Sequence, residues 1–487
     1  MRRRVLFICC FLVFALQLVA QGLAQFTNRV TYMLLEGSTL TDDCLICGRP
    51  TIQQPLRGTF DLILIQDTAP YTKYAVSNIN FTSRPGPGSH LQITGEGIYS
   101  RFEQFALLQD MDLALDIKDE YTNRVAYFTN ESRNVQRPFP LIQITLPQTN
   151  GTLIQTYSLE LFVAPVREIW FSTTQSFEAT NLFAPTNKIS DGDLLSSRGR
   201  VVKSNGELVG RLGIMPGVPD LGLDAVAVGP HAGIMFSIPS NVFSESLGPI
   251  QHGDLLSSRG AIVKRNQDLL AGFRPVSSED AGLDAVQIMS KGEILFSIRS
   301  NIVLNSGQTI AHGDILSERG IVFMTNQQLL ANFRPVITNY DFGLDAFYTF
   351  PSGEIWFSVA EDFTDKSLGL IKAGDLLSSF GYRAVRNEDL VASFGLADPT
   401  QGYGLDALFV ISDTLPQKPP PRIVQYKLSG QFLHLDWDGE GSVFQLEQSG
   451  SILGPWLPCG PIVPDLSADT RCETTPGSMN FYRLRQW

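Results

Sequence analysis

The sequence lacks any long apolar run beyond its first residues. Three arginines at positions 2–4 precede an apolar run from Val5 to Leu16, which is too short to cross the hydrocarbon core of a membrane. Small residues follow as far as Ala24, so we predict a signal peptide at residues 1–24 and a mature chain that begins at Gln25. No later stretch reaches the roughly 18 apolar residues that a membrane-spanning helix needs. The predicted location is therefore secreted, either extracellular or periplasmic, with no membrane span.

Positive charge is also scarce. The chain has 37 Lys and Arg against 49 Asp and Glu, a formal net charge of −12, and loss of the three leader arginines makes it −15 (−12 − 3). A surface of that sign repels phosphate backbones and anionic lipids, so neither nucleic acid nor a lipid headgroup is a predicted partner. Divalent cations remain compatible with it.

Cysteines are few, and two of the six lie in the predicted signal peptide. The mature chain keeps four, which allow three pairings in an oxidising compartment: Cys44, Cys47, Cys459 and Cys472. Proximity in sequence favours Cys44 with Cys47 and Cys459 with Cys472. No strand-to-helix pattern of a thioredoxin unit surrounds the first pair, so we expect a structural disulfide there.

Recognisable catalytic motifs are absent. The sequence has no Gly-x-Ser-x-Gly elbow, no phosphate loop, no dinucleotide fingerprint and no His-Glu-x-x-His among its five histidines. We therefore predict no catalytic residue, and we favour a non-enzymatic protein. A glycosidase pair of carboxylates stays open, because such pairs are recognised by their separation in space.

The dominant feature is a pattern of about 60 residues that is written four times between Arg167 and Asp413. Each copy contains Ile-x-Phe-Ser, Gly-Asp-x-Leu-Ser, a lone Asn and Gly-Leu-Asp-Ala. The Gly-Asp aspartates are Asp193, Asp254, Asp314 and Asp375, and the Leu-Asp-Ala aspartates are Asp224, Asp284, Asp345 and Asp406. A period this regular indicates a repeat architecture, in which each module buries its apolar face against its neighbours.

The local patterns are those of strands, so we predict an all-β protein. Residues 25–166 alternate apolar and polar positions, as in Met111 to Ile117, which favours a β-sandwich-like N-terminal domain. Residues 167–413 offer four or five short strands per repeat, including one at Leu208 to Leu212, and resemble the blades of a small β-propeller. A linear array or two paired sandwiches are the rival layouts. The lone asparagines predict turns in the left-handed conformation: Asn205, Asn266, Asn326 and Asn387.

A proline-rich linker at residues 414–422 separates the last segment, residues 423–487. That segment contains Leu435-Asp-Trp437, Gly454-Pro-Trp456 and Phe481-Tyr-Arg-Leu484, and it resembles the fibronectin-type-III-like tail domains of secreted bacterial proteins. With its export signal, β-repeat array and tail, the whole chain resembles secreted bacterial β-repeat proteins. The resemblance implies no catalytic residue.

The recurring aspartates are the first candidates for a site. A closed ring would place equivalent carboxylates around one axis, where they could bind a cation such as calcium. For this metal site we single out Asp193, Asp254, Asp314 and Asp375. The competing interpretation is that each Asp caps the backbone of its own turn. Recurrence once per module favours this structural role, so no cofactor is required.

Positions where the repeats differ are the second set of candidates, because variable loops on a constant scaffold are where recognition usually lies. They are Trp170, Trp356, His252 and His312. Neutral drift explains such differences equally well. The predicted function is a secreted, non-enzymatic binding protein for a glycan or a protein. The alternative is a carbohydrate-active hydrolase that uses paired carboxylates in the repeat domain.

Overall fold

The computed structural model describes residues 29–86, 89–103, 107–119, 121–181, 187–215, 217, 220–230, 233–414, 418–429, 432–452, 456–470 and 481–487. The predicted signal peptide lies outside them. The chain divides into two compact units, Met1–Arg167 and Glu168–Trp487. Both are built almost entirely of antiparallel strands, so the predicted all-β class is confirmed.

Nine strands begin in the first unit, and the last of them ends in the second. They are β1 (Arg29–Leu34), β2 (Thr39–Asp43), β3 (Ile52–Thr68), β4 (Tyr71–Gly86), β5 (Ser89–Glu103), β6 (Leu107–Lys118), β7 (Asn123–Thr129), β8 (Ile142–Pro147) and β9 (Thr156–Phe171).

The strands of the first unit belong to one sheet that curls around a single core. The strand order is β9-β1-β3-β4-β5-β6-β7. The short strand β2 pairs with both β3 and β9, and β8 pairs with β9. A bridge between Phe128 and Gln148 joins the far strand β7 to the residue after β8, so the two ends of the sheet meet. The alternation of β6 is as the sequence predicts, since Met111, Leu113 and Leu115 are buried.

The second unit contains four groups of four antiparallel strands, which we call blades 1 to 4. Blades 2 to 4 are separate sheets, and blade 1 belongs to the same sheet as the strands of the first unit through the shared strand β9. Blade 1 consists of β32 (Leu408–Ser412), the end of β9, β12 (Leu194–Ser196) and β13 (Arg200–Lys203). Blade 2 consists of β14 (Ala225–Gly229), β15 (Gly233–Ser237), β18 (Leu255–Ser257) and β19 (Ala261–Lys264). Blade 3 consists of β20 (Ala285–Ile288), β21 (Ile294–Ser297), β24 (Ile315–Ser317) and β25 (Ile321–Met324). Blade 4 consists of β26 (Ala346–Thr349), β27 (Ile355–Ser358), β30 (Leu376–Ser378) and β31 (Tyr382–Val385).

Two-stranded ribbons lie between these sheets. They pair β10 (Phe177–Glu178) with β11 (Lys188–Ile189), β16 (Val242–Ser244) with β17 (Gly248–Ile250), β22 (Ile302–Val303) with β23 (Thr309–Ile310), and β28 (Phe363–Asp365) with β29 (Gly369–Ile371).

The blades close into a ring, the arrangement of a four-bladed β-propeller. The innermost strands β14, β20, β26 and β32 each contact the next, and β32 contacts β14. Closure is made by the chain itself, because β32 from the end of the repeat region pairs with β9 from its start. Each 60-residue sequence repeat is therefore offset from a blade, since its Leu-Asp-Ala strand is the innermost strand of the next blade.

A hydrogen bond joins each blade to the next. The Ser of Ile-x-Phe-Ser donates its hydroxyl to the carbonyl oxygen of the Leu that precedes the next blade's aspartate. The four bonds are Ser172 to Leu223 at 2.8 Å, Ser237 to Leu283 at 2.8 Å, Ser297 to Leu344 at 3.4 Å and Ser358 to Leu405 at 3.3 Å. All four serines are buried, so each bond satisfies polar groups that water cannot reach.

The lone asparagines begin short helices, so the predicted left-handed turns are wrong. The helices are α1 (Asn205–Val209), α2 (Asn266–Leu270), α3 (Asn326–Leu329) and α4 (Asn387–Val391). The strand predicted at Leu208 to Leu212 is wrong for the same reason. In blade 2's connection, the Asn266 amide donates to Gly253 and Gly282 carbonyls, and its backbone N–H donates to Asp254 at 3.1 Å. Asn266 thereby holds two loop segments, one at Gly253 and Asp254 and one at Gly282, to the start of α2.

The remainder of the second unit forms two three-stranded sheets. One contains β33 (Arg422–Ser429), β34 (Phe432–Asp438) and β37 (Ser467–Thr470), and the other contains β35 (Phe444–Ser449), β36 (Leu457–Pro458) and β38 (Phe481–Gln486). They pack on blade 1, where Arg200 donates to the Ile462 carbonyl at 2.6 Å and Trp487 donates to Asp413 at 2.9 Å. The likeness of this segment to fibronectin type III stays a prediction.

Cys44 and Cys47 form a disulfide in the first unit, as their spacing predicts. Cys459 is also disulfide-bonded. Its predicted partner Cys472 lies outside the described residues, so that pairing stays a prediction. Among the helices of the described ranges, none has the length and apolar character needed to cross a membrane.

The Gly-Asp carboxylates should be structural. Asp254 is 0% exposed and accepts from the backbone N–H groups of Gln251 and Asn266 and from Arg265. We expect Asp254→Ala to lower the free energy of unfolding of the second unit by on the order of 3 kcal/mol, because three donors lose their acceptor. Urea denaturation would measure it. Asp268→Ala, an exposed neighbour in α2, is the control and should cost less than about 1 kcal/mol; equal losses would contradict the assignment.

Candidate functional site

Four carboxylates converge where the innermost strands of the four blades begin. Asp224, Asp284, Asp345 and Asp406 stand one or two residues before β14, β20, β26 and β32. Because these strands surround one axis, equivalent side chains lie around it at the same level. The mutual influence of the carboxyl groups on their pKa values reflects this proximity. We call the four side chains the axial ring.

Local backbone geometry fixes each member of the axial ring. The Leu before each Asp accepts the inter-blade serine hydrogen bond, and the glycine before that Leu has a positive φ, for example 78° at Gly282 and 74° at Gly343. A Cβ at Gly282 would lie 2.6 Å from the Cβ of Arg299, so glycine is required by both conformation and space. Gly-Leu-Asp-Ala therefore recurs because it turns the chain into the innermost strand.

Burial raises the pKa of every carboxyl group in the axial ring. It raises the pKa of Asp224 to about 6, partly offset by Arg299 and His252. It raises the pKa of Asp284 to about 8, with the charges of Asp345 and Asp224 adding to the effect. Burial raises the pKa of Asp345 to about 7, opposed by Arg299, and it raises the pKa of Asp406 well above the usual range, with the other three carboxylates adding. The ring is therefore partly protonated near neutral pH.

One guanidinium group reaches the axial ring. Nη1 of Arg299 lies 3.3 Å from Oδ2 of Asp224, and its Nε lies 3.7 Å from Oδ1 of Asp284. The same Nη1 donates a hydrogen bond to the carbonyl oxygen of Pro239 at 3.2 Å. Arg299 therefore sits between the carboxylates of blades 2 and 3, on one side of the ring.

The rest of the ring has little hydrogen bonding. Asp224 is 4% exposed, and its Oδ2 atom receives no hydrogen bond. Within the described residues, no side chain or backbone donor binds the carboxylates of Asp345 and Asp406 either. Buried carboxylates are normally satisfied by donors or paired with cations, so the Oδ2 atom of Asp224 is an exception. Asp345 and Asp406 are only partly buried, so their carboxylates stay open to solvent or to a ligand.

Side-chain contacts join neighbouring blades further along the innermost strands. Three residues beyond the ring carboxylates, or about 10 Å at strand spacing, the equivalent positions are Ala227, Gln287, Tyr348 and Phe409. Gln287 binds both backbone groups of Thr349 in the next blade, at 3.1 and 2.7 Å. The rings of Tyr348 and Phe409 pack edge to face, with their centroids 6.0 Å apart. These contacts join the innermost strands of blades 3, 4 and 1 to one another beyond the axial ring.

The four Gly-Asp aspartates predicted as a metal site lie elsewhere. In each of them one carboxylate oxygen accepts from the backbone N–H of the lone Asn, at 2.9 to 3.1 Å. The other oxygen accepts from the N–H three residues earlier in the chain. They are Asp193, Asp254, Asp314 and Asp375. Each carboxylate braces its own turn, and the structure does not bring them together around an ion.

The two tryptophans predicted as binding residues are inside the blades. Trp170 and Trp356 are 0% exposed, and their indole N–H groups donate to Glu168 at 2.8 Å and to Glu354 at 3.1 Å. A fully enclosed indole cannot contact a ligand. The two tryptophans therefore belong to the core, each together with an acceptor two residues earlier.

The two histidines lie near the rim of the axial ring. Nδ1 of His252 is 3.0 Å from Oδ1 of Asn241, and Nε2 is 3.5 Å from Asp280. His312 has the equivalent neighbours, but its Nδ1 atom approaches both, at 3.0 Å from Oδ1 of Asn301 and 3.4 Å from Oδ2 of Asp341. They adjoin the glycine turns that precede Asp284 and Asp345. Both imidazoles brace loops, and His252 is close enough to Asp224 to influence its pKa.

Arg299 was not predicted from the sequence. The signal was present, because the residue two positions after Ile-x-Phe-Ser is Thr174, Pro239, Arg299 or Ala360 in the four copies. Only one copy carries a charge there. The position lies in a loop whose residue differs in all four repeats, so the arginine did not stand out as a candidate.

No preformed metal site is present in the part of the chain that the structure describes. No group of three or more acidic, histidine or cysteine side chains there has the spacing of ligands to one ion. The axial ring therefore gathers charge around an axis without the close spacing of a chelate.

Neither a protein-family model nor any curated protein sequence matches this chain. Among solved structures, a similarity is found to the extracellular domain of a putative hybrid two-component system from B. thetaiotaomicron. The two are 11% identical, the alignment covers 92% of this chain and 82% of that chain, and the TM-score is 0.19. A score this low supports no inference about the present chain.

The raised pKa values predict an unusual dependence of stability on pH. A carboxyl group with a folded-state pKa above its unfolded value of 3.8 binds more protons when folded, so its stabilising effect is complete below pH 3.8 and is lost as the pH rises through about 6 to 8. We expect the melting temperature of the second unit to fall between pH 5.5 and pH 8.5. Calorimetry would measure it.

Asp345→Asn should reduce this fall, because the neutral amide removes one charge that is costly at pH 8.5. The variant should melt above the native protein at pH 8.5 and close to it at pH 5.5. Asp268→Asn, which alters an exposed carboxylate, should leave the pH profile unchanged. A native profile that rises with pH over this range would contradict the assignment.

Proposed function

We propose that this protein is an exported, non-enzymatic binding protein whose ligand presents a cation to the axial ring. The observation that carries the proposal is the imbalance of charge at the axis. Four carboxylates face one guanidinium, and Asp224 Oδ2 has no hydrogen-bond donor although its residue is 4% exposed. Clustered carboxylates that lack protein donors destabilise a fold, so a ligand that compensates their charge best explains their presence.

An organic cation fits the ring better than a chelated metal. The carboxylates do not have the spacing of ligands to one metal ion, whereas the ring already accommodates a guanidinium from Arg299 at 3.3 and 3.7 Å. A guanidinium or ammonium group donates several hydrogen bonds to carboxylates over a wider span. A neutral glycan has no such group, so the ring favours a protein partner with an exposed Lys or Arg side chain. A hydrated calcium ion is the other source of positive charge.

Export and the absence of catalysis rest on the sequence. The signal-peptide prediction falls outside the described residues, and no recognisable catalytic motif accompanies the ring. The strongly negative net charge of −12 is in keeping with attraction of a basic partner.

A hydrolase that uses paired carboxylates is the second candidate. The observation in its favour is the difference between the pKa of Asp224, about 6, and that of Asp284, about 8. A general acid that is protonated at neutral pH beside an ionised carboxylate is what glycoside hydrolysis needs. Release of sugar from a panel of glycans, abolished by Asp284→Asn, would establish this candidate in place of the first.

Binding of a single cationic side chain tests the leading proposal. N-acetyl-arginine amide, whose only charge is the guanidinium, should bind with a Kd on the order of 1 mM, or about −4 kcal/mol. Titration calorimetry at pH 7 in two buffers of different ionisation enthalpy should also show proton release, because the cation favours ionised carboxylates. Calcium chloride is titrated in parallel to distinguish the two sources of charge.

The double substitution Asp345→Asn and Asp406→Asn should abolish this binding, since it removes the carboxylates that no donor satisfies. Asp268→Asn is the matched surface control and should bind as the native protein does. N-acetyl-citrulline amide, which has nearly the same shape without the charge, should not bind. Equal binding by the double variant, or no binding of either cation to the native protein, would overturn the proposal.

A further inference from the structure

We infer that Arg299 is an internal competitor of the ligand, a guanidinium of the chain's own that occupies one side of the axial ring until a ligand displaces it. The inference rests on the proposed function and identifies the residue that sets the affinity of the site. It begins from an asymmetry, because only blade 3 contributes a cation to a ring that is otherwise built of four equivalent parts.

The position of Arg299 is not required by the blade. Its counterparts in the other copies are Thr174, Pro239 and Ala360, and each lies beside the equivalent glycine turn. Ala360 leaves the turn of blade 4 intact, with its Cβ beside Gly343 in the way that the Cβ of Arg299 lies beside Gly282. The backbone at this point therefore forms equally well without a long side chain.

The contacts of Arg299 are those of a displaceable group. Its side chain is 43% exposed, and neither of its approaches to a ring carboxylate, 3.3 Å and 3.7 Å, has the geometry of a hydrogen bond. Its one hydrogen bond in the described structure is to the Pro239 carbonyl. A structural pair in the same unit is different, since Arg265 donates to the fully buried Asp254 at 2.7 Å. A partly exposed, loosely held ion pair of this kind is worth about 1 kcal/mol, enough to compete with a ligand and weak enough for a ligand to displace.

The chemistry of the displaced and the incoming group is the same. A ligand guanidinium or ammonium would find Asp345 and Asp406 without protein hydrogen-bond donors and without an ion pair to Arg299, whose charge reaches them only from a distance. To be satisfied by all four carboxylates it must also move Arg299 toward solvent, which its exposure allows. The apparent affinity then equals the intrinsic affinity multiplied by the fraction of molecules in which Arg299 has left the ring.

Arg299→Ala tests this inference, because it introduces the residue that blade 4 already tolerates. We expect N-acetyl-arginine amide to bind about tenfold more tightly, a change of about 1.4 kcal/mol. Without ligand, the variant should melt below the native protein at pH 8.5, since the ring has lost its cation, and saturating ligand should restore the melting temperature. Circular dichroism checks that the fold is retained.

Arg319→Ala is the matched control, because it makes the same change in net charge. Arg319 is 59% exposed and pairs with Glu293 in blade 3, away from the ring, so its removal should alter the affinity less than twofold. Tighter binding by Arg299→Ala alone supports internal competition. Unchanged or weaker binding by Arg299→Ala, in a native protein that does bind the probe, would overturn the role of Arg299 and leave the proposed function standing. Failure of both native and variant proteins to bind any cation would overturn both.

Discussion

The hydrogen bond from each blade's serine to the next blade's leucine carbonyl is the contact on which the ring depends. Each bond is buried, and each ends one residue before a carboxylate of the axial ring, as Ser237 does at Leu283 beside Asp284. Because it joins neighbouring blades, the bond holds the ring closed and also fixes the level at which the carboxylates meet. The same interaction therefore produces the architecture and gathers the charge.

That coupling has an energetic consequence. Packing innermost strands around one axis brings four carboxylates together and partly out of water, and burial raises the pKa of Asp284 to about 8 and that of Asp345 to about 7. A scaffold chosen only for stability would carry neutral residues at these positions, since Asn or Ser could accept or donate in the same turns. Residues that lower the stability of their own fold, as these carboxylates do, are found most often at functional sites.

The sequence predicted what is local and missed what depends on closure. Period-two patterns and the 60-residue repeat indicated β modules, and Asp254 beside its own turn was correctly weighed as a capping residue. The sequence did not distinguish the Gly-Asp aspartates from the Leu-Asp-Ala aspartates. The Leu-Asp-Ala aspartates converge only because each begins the innermost strand of the following blade, and this offset between sequence repeat and blade is visible only in the folded ring. The position of Trp356 differs among the copies, as expected of a binding residue. Glu354, two residues earlier, accepts the indole hydrogen bond and indicated instead that the tryptophan is buried.

The single guanidinium gives the axial ring a direction that four-fold repetition alone cannot supply. The innermost strands follow one another in the order of blades 2, 3, 4 and 1, and Arg299 lies between the carboxylates of blades 2 and 3. Asp345 and Asp406, from blades 4 and 1, form no ion pair with it, although its charge lowers the pKa of both. Two carboxylates of the ring have a direct ion pair and the other two have none, so a symmetric scaffold presents an asymmetric site. Duplication of a module can create such a ring, and one substitution in one copy is enough to orient what binds there.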